Sequence, residues 1–104
     1  MEIHHSVADL VEEPAPRRLA ATSDAYERGL AIADGGAAEL VEGGPLLVRV
    51  RVGDEGIYYL VELHSPPGGL AWSCDCPVGS SGEFCAHCVA AALIAWRLAP
   101  KRRD

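Results

Sequence analysis

Along the first third of the chain, apolar positions recur at helical spacing. Val7, Leu10 and Val11 stand at i, i+3 and i+4 within residues 6–13, which predicts a short amphipathic helix stopped by Pro14 and Pro16. A longer helix is predicted from about Asp24 to Asp34. There Tyr26, Leu30 and Ala33 share a face, Asp24 and Glu27 form a capping pair, and Gly35-Gly36 ends the run. Gly29 lies in its middle, where glycine costs about 1 kcal/mol relative to alanine, so a close backbone approach is expected at that point.

From residue 37 the period changes to two. Leu46, Val48, Val50 and Val52 fall on one face of a strand, with Leu47, Arg49 and Arg51 on the other. Residues 57–64 repeat the pattern, with Ile57, Tyr59, Val61 and Leu63 facing inward. Read as a four-residue turn, Gly53-Asp54-Glu55-Gly56 pairs Val52 with Ile57, Val50 with Tyr59 and Val48 with Val61, and sets Arg51 beside Tyr58 outside. A strand near Ala38 to Glu42 precedes this hairpin and one near Leu70 to Cys74 follows it, giving a four-stranded antiparallel meander. A last helix runs from near Cys85 to about Leu98, with Val89, Leu93 and Trp96 on one face and Pro100 as its stop. Between Cys88 and Trp96 it is apolar all round, so it is either sandwiched or offers a face to a partner.

Composition narrows the class. With 104 residues, 49% of them hydrophobic and 23% charged, the chain suits a single globular domain, too small for a multi-step enzyme. No uncharged run is long enough to span a membrane, and no apolar stretch of a signal peptide follows Met1-Glu2-Ile3-His4-His5, which predicts a cytosolic chain. In that compartment four cysteines point to metal ligands or redox thiols, not disulfides. The net charge of −6 argues against a general nucleic-acid coat. Only the C-terminus is basic, with Arg97, Lys101, Arg102 and Arg103.

The chemistry concentrates between Trp72 and Cys88. Cys74-Asp75-Cys76, an eight-residue gap, and Cys85-Ala86-His87-Cys88 form two ligand pairs joined by a loop. A tetrahedral zinc ion takes such ligands at about 2.0 to 2.3 Å. Cys74 and Cys76, two apart on an extended segment, can point the same way. Cys85 and His87 would diverge by about 200° inside a regular helix, and converge if Cys85 sits at or just before the first helical residue. There the helix dipole favours thiolates. Three thiolates and one imidazole fill every position, so the site reads as structural, with one zinc per chain and no water to activate. The loop from Pro77 to Glu83 reads as a tether. Cys85-x-x-Cys88 leaves a second reading open, a thiol oxidoreductase pair, although it gives Cys74 and Cys76 no role.

Cys74, Cys76, Pro77, Cys85, His87 and the Val89-Ala90-Ala91-Ala92-Leu93 run together resemble the SWIM zinc fingers, whose signature is C-x-C, a variable loop, and C-x-H leading into a helix. Tyr26-Glu27-Arg28-Gly29 ahead of a meander is similar to the region preceding the finger in bacterial members, so the resemblance spans residues 22–98. It implies zinc ligation by Cys74, Cys76, Cys85 and His87. It also implies a module that binds protein or DNA, of a kind found with Swi/Snf-class helicases, Mutator-type transposases, kinases and ubiquitin-system proteins. No ATPase, nuclease or transposase segment accompanies the finger, so a stand-alone or accessory subunit is expected.

Other residues carry ordinary readings beside functional ones. Cys88 reads as a buried structural thiol, or else as the fourth ligand in place of His87. His4 and His5 read as a solvated tail, and His64 as structural or exposed. Asp75 or Glu83, or a backbone carbonyl, is expected to accept the other ring proton of His87. Arg49, Arg51 and Tyr58 are candidate nucleic-acid or partner contacts, with a solvated sheet face and an Arg49–Glu62 pair as the plain alternative. Trp72 and Trp96 are expected to bind finger to sheet.

The expected protein is therefore α+β: an N-terminal helix, a four-stranded antiparallel meander, a Cys3His zinc knuckle and a C-terminal helix. Residues 1–21 form an N-terminal arm, partly ordered, and residues 22–104 a single SWIM-type zinc-binding domain with the finger at 72–98. The expected function is a non-enzymatic adaptor in a DNA-processing, helicase-associated complex, with no small-molecule substrate. It would touch a protein partner through the alanine-rich helix, and nucleic acid through Arg49, Arg51 and the basic tail. The alternative is a nucleic-acid-binding finger in its own right.

Overall fold

The computed structural model describes residues 7–12, 15–66 and 69–98. His4, His5, Pro14, Pro100, Lys101, Arg102 and Arg103 lie outside them. The elements are α1 (Val7–Leu10), α2 (Ala15–Leu19), α3 (Ser23–Asp34), β1 (Ala38–Gly43), β2 (Leu47–Asp54), β3 (Ile57–His64), β4 (Ala71–Cys74) and α4 (Ala86–Leu98). The strands form one antiparallel sheet in the order β1-β2-β3-β4, the meander expected. No helix among the described residues is long and apolar enough to cross a membrane.

Three local details differ. The first helix ends at Leu10, ahead of Pro16 as expected, but Pro16 then takes part in a second helix that the sequence pattern did not predict. It lies in the first turn of α2, where its missing N–H has no helical partner to lose. The cap of α3 is Thr22, whose Oγ1 accepts from Ala25 N at 3.0 Å, so Asp24 and Glu27 are not the capping pair. The third change is the register of the central hairpin. Glu55 (φ 52°) and Gly56 (φ 81°) alone make the turn, both with positive φ as a two-residue type I′ turn requires. The strands therefore extend to Asp54 and Ile57, and Val52 pairs with Tyr59, Val50 with Val61 and Val48 with Leu63.

A shift of two preserves which face each residue uses. Val48, Val50, Val52, Val61 and Leu63 are all buried, as the alternation predicts. The ends of the pattern are not: Leu46 and Ile57 remain 52% and 56% exposed. Helix α4 lies across the inner face of the sheet, and α3 packs on α4. Of the two fates open to α4, the helix takes the sandwiched one. Ala90, Ala91 and Ala92 are fully buried in the chain's own core, which overturns a partner contact through this helix.

Gly29 makes the close approach expected of it. A Cβ there would lie 2.5 Å from the Val89 Cβ and 2.6 Å from the Ala86 carbonyl oxygen. The N-terminal segment joins the same core through Val7 and Val11, both fully buried. It is tied down by Val7 N donating to Pro45 O at 2.7 Å and Ala21 N to Phe84 O at 3.0 Å.

Candidate metal centre

Four donor atoms converge where β4 meets the start of α4. The Sγ atoms of Cys74, Cys76 and Cys85 and a ring nitrogen of His87 all lie within 4.8 Å of one another, and all four residues are buried. Cys74 ends β4, while Cys76 follows it at the head of a short 3-10 turn over Gly79–Ser81. Cys85 immediately precedes α4 and its carbonyl accepts the Val89 N–H at 3.0 Å, so it caps the helix, while His87 sits in the first turn. This is the placement that lets an i, i+2 pair converge.

The loop between the pairs is more than a tether. Gly79 N donates to Cys76 Sγ at 3.1 Å, and Ser80 N to the Cys76 carbonyl at 2.8 Å. A Cβ on Gly79 would come within 2.5 Å of the Cys74 Cβ, so only glycine lets the loop close on the sulfurs. Trp72 and Phe84 brace it from outside: their rings meet edge to face at 4.9 Å, and Trp72 Nε1 donates to Gly82 O at 3.1 Å. Trp72 thus joins finger to sheet as expected, and Trp96 packs against the same core.

The donor set fits zinc. In a tetrahedral site with bonds of about 2.3 Å to sulfur and 2.0 to 2.1 Å to nitrogen, neighbouring donors stand about 3.5 to 3.8 Å apart. Here Cys76 Sγ and Cys85 Sγ are 3.6 Å apart, and His87 Nδ1 lies 3.7 Å from Cys74 Sγ and 3.8 Å from Cys85 Sγ. Cys74, Cys76, Cys85 and His87 are placed to bind one zinc ion, and the ion would supply a closed structural cross-link between β4 and α4. Cys88 Sγ is also 3.8 Å from Cys85 Sγ, but the group of mutually converging donors consists of Cys74, Cys76, Cys85 and His87. The contact of Cys88 with Cys74 pulls its thiol down, while the Cys85 thiolate and burial outweigh that and push it up to about 12, so it stays protonated.

The acceptor for the other ring nitrogen of His87 is neither Asp75 nor Glu83. Asp75 Oδ1 accepts from Leu60 N at 3.2 Å, and Glu83 accepts from Ser81 Oγ at 3.3 Å. Asp54, at the end of β2, takes the role, with Oδ2 2.9 Å from His87 Nε2. Tyr59 stacks on the imidazole with ring centroids 4.3 Å apart. Sequence reasoning missed both residues. The signal for Asp54 was its parity with Val48, Val50 and Val52, which puts an acid at the end of the inward apolar row.

Without metal, the cluster divides its protons unevenly. Hydrogen bonds from Cys74 and then Cys88 hold the Cys85 thiol far below the usual range against the opposing effect of burial. Reciprocally, the bond to Cys85, then that to Cys88, and burial raise Cys74 far above it. His87 rises to about 9, first through its bond to the Cys85 thiolate, against burial and with help from Asp54. Metal binding must therefore displace at least the Cys74 and His87 protons, since zinc takes thiolate and neutral imidazole. Because the His87 proton stays bound up to about pH 9, it competes with zinc throughout the neutral range, and affinity must rise with pH. Apparent zinc affinity should tighten by at least about 100-fold per unit between pH 6 and 8, tenfold per proton released. Chelator competition at several pH values, with calorimetry in two buffers to count protons, checks this.

The sequence-predicted contacts lie apart from the centre. Arg49, opposite Glu62 in the register, bonds it through Nε at 2.9 Å and reaches Glu42 through Nη1 at 3.1 Å. Arg51 pairs with Glu39 and stacks over Tyr58, its guanidinium 5.3 Å from the ring centre. Arg97 pairs with Asp34 at 2.8 Å, on the far end of α4. His64 lies 3.5 Å from Glu62.

No curated protein and no solved structure gives a significant match to the chain. Residues 48–95 match the SWIM zinc finger family, a span that opens in β2, contains all four donor residues and closes in α4. With the donors of that signature converging on a zinc-sized site, residues 48–95 form a zinc finger of the SWIM type.

Proposed function

We propose that the chain is a non-enzymatic adaptor that docks a protein partner on the outer face of its sheet, within a DNA-processing complex such as that of a Swi/Snf-class helicase. The observation that carries this reading is the state of the arginines. Arg49, Arg51 and Arg97 each have a carboxylate partner, so a phosphate backbone would have to displace an existing ion pair at every one. Between the pairs the face is apolar, with Tyr58 at 70%, Leu60 at 42% and Val41 at 56% exposure. Beside it lies an open cleft of about 440 Å³, where Glu39, Asp54 and Glu55 outnumber Arg51. An aromatic and aliphatic patch set between ion pairs that already neutralise one another suits an apolar protein surface better than a phosphate backbone.

Fluorescence anisotropy of the zinc-loaded protein with short single- and double-stranded DNA and RNA separates this from direct nucleic-acid binding. No binding at low salt is expected. Binding that weakens steeply toward 200 mM salt would replace the adaptor reading with the nucleic-acid one. Titration with a Swi/Snf-class helicase from the same genome supplies the positive arm. Truncating an exposed aromatic anchor typically costs tenfold or more in affinity, about 2 kcal/mol, and Tyr58→Ala is expected to do so.

A further inference from the structure

We propose that Asp54 is the positioning residue of the metal centre, and that it selects Nδ1 of His87 as the atom presented to zinc. The inference rests on the zinc centre described above and concerns a residue outside the C-x-C and C-x-H pairs. Asp54 is the last residue of β2, yet its Oδ2 lies 2.9 Å from His87 Nε2, across 33 residues of chain. An imidazole that donates its Nε2 proton to a carboxylate keeps a lone pair only on Nδ1. That is the nitrogen lying 3.7 and 3.8 Å from the Cys74 and Cys85 sulfurs.

The same carboxylate oxygen accepts from Arg28 Nη2, also at 2.9 Å. The side chain of Asp54 is only 16% exposed, against 50% for Arg28. A chain of contacts therefore runs from α3 through Arg28 and Asp54 to His87 in α4, and Tyr59 holds the ring plane by stacking. The type I′ turn is part of the device. It ends β2 at Asp54 itself, whereas a four-residue turn would have placed this side chain in the loop. Arg28, half-exposed, orients the carboxylate and offsets the negative charge of a three-thiolate site, so its removal matters less than that of Asp54.

The test is zinc affinity by chelator competition in full-length Asp54→Ala, Asp54→Asn and wild-type protein, together with the ¹H–¹⁵N spectrum of His87 in the wild type. Asp54→Ala should bind zinc about 10- to 100-fold more weakly, the usual cost of losing such a partner. Asp54→Asn keeps an acceptor for Nε2–H but not the charge, and should fall between the two. The wild-type spectrum should show Nδ1 bound to metal and Nε2 protonated, a readout that holds even if the alanine variant fails to fold. Asp54→Ala within twofold of wild type, or metal on Nε2, would each overturn the assignment. A wild-type protein that takes up no zinc would overturn the centre as well, which is distinguishable from a zinc-loaded protein indifferent to position 54.

Discussion

Stripping zinc with a strong chelator should lower the midpoint of thermal unfolding by at least about 20 °C. Structural zinc contributes about 10 kcal/mol or more in small fingers, and about half of that suffices here, at some 4 °C or more per kcal/mol for a domain of this size. The reason lies in what the ion leaves behind. Three buried sulfurs and a buried imidazole crowd within 4.8 Å, and without a divalent charge they must take up protons or keep a thiolate out of water. The apolar contact of Val89 and Leu93 with the sheet remains, so residual helix should persist. Cys85→Ser should reproduce the loss. Cys88→Ser should keep one zinc, because this thiol lies outside the group of four converging donors. Circular dichroism melts with metal analysis on both variants check the assignment, and zinc lost from Cys88→Ser but retained in His87→Ala would reverse it.

Gly29→Ala is the second large effect, and its sign is opposite to the usual one. In an exposed helix interior alanine gains about 1 kcal/mol over glycine. At this position the new methyl would meet the Val89 Cβ at 2.5 Å and the Ala86 carbonyl oxygen at 2.6 Å. A side-chain methyl on β-branched valine cannot rotate out of the way, and the oxygen belongs to the helix backbone, so α3 and α4 must move apart. Overpacking of this kind costs about 3 kcal/mol at its upper range, equivalent to a fall of about 12 °C or more in the unfolding midpoint. The displaced residue, Ala86, stands between two zinc donors. Zinc affinity should therefore fall along with stability, and a variant that melts at or above the wild-type temperature would contradict the packing described.

The order of elements apart from α2, and both donor pairs, were legible because each rests on short-range pattern. Alternation of Val48, Val50 and Val52 against Val61 and Leu63 identifies the inner face whatever the register, and C-x-C with C-x-H announces its ligands by spacing alone. What escaped depends on backbone conformation or on distant partners. Glu55 in a positive-φ turn position is unusual for a residue other than glycine or asparagine, so a sequence reading made the turn longer and slipped the hairpin by two. That slip hid Asp54, which then looked like a loop residue. The alanine run of α4 was ambiguous for another reason: small apolar side chains are tolerated on a surface and in a core alike, and only the sheet on one side and α3 on the other decide between them. Arg49 shows the same limit, since its two glutamate partners come from separate strands.

The burial of Ala90, Ala91 and Ala92 beneath the sheet bears on how far this finger is portable. A self-contained finger can be cut from its protein and grafted elsewhere, because its metal is its core. Here the helix that carries His87 is also the central helix of the domain, and the imidazole is steadied from β2 and, through it, from α3. An excised stretch from Trp72 to Leu98 would carry every donor atom and almost none of the surroundings that aim them. The smallest transplantable unit of this protein therefore begins well upstream of the finger and includes α3, the whole meander and the N-terminal segment whose Val7 and Val11 complete the same core.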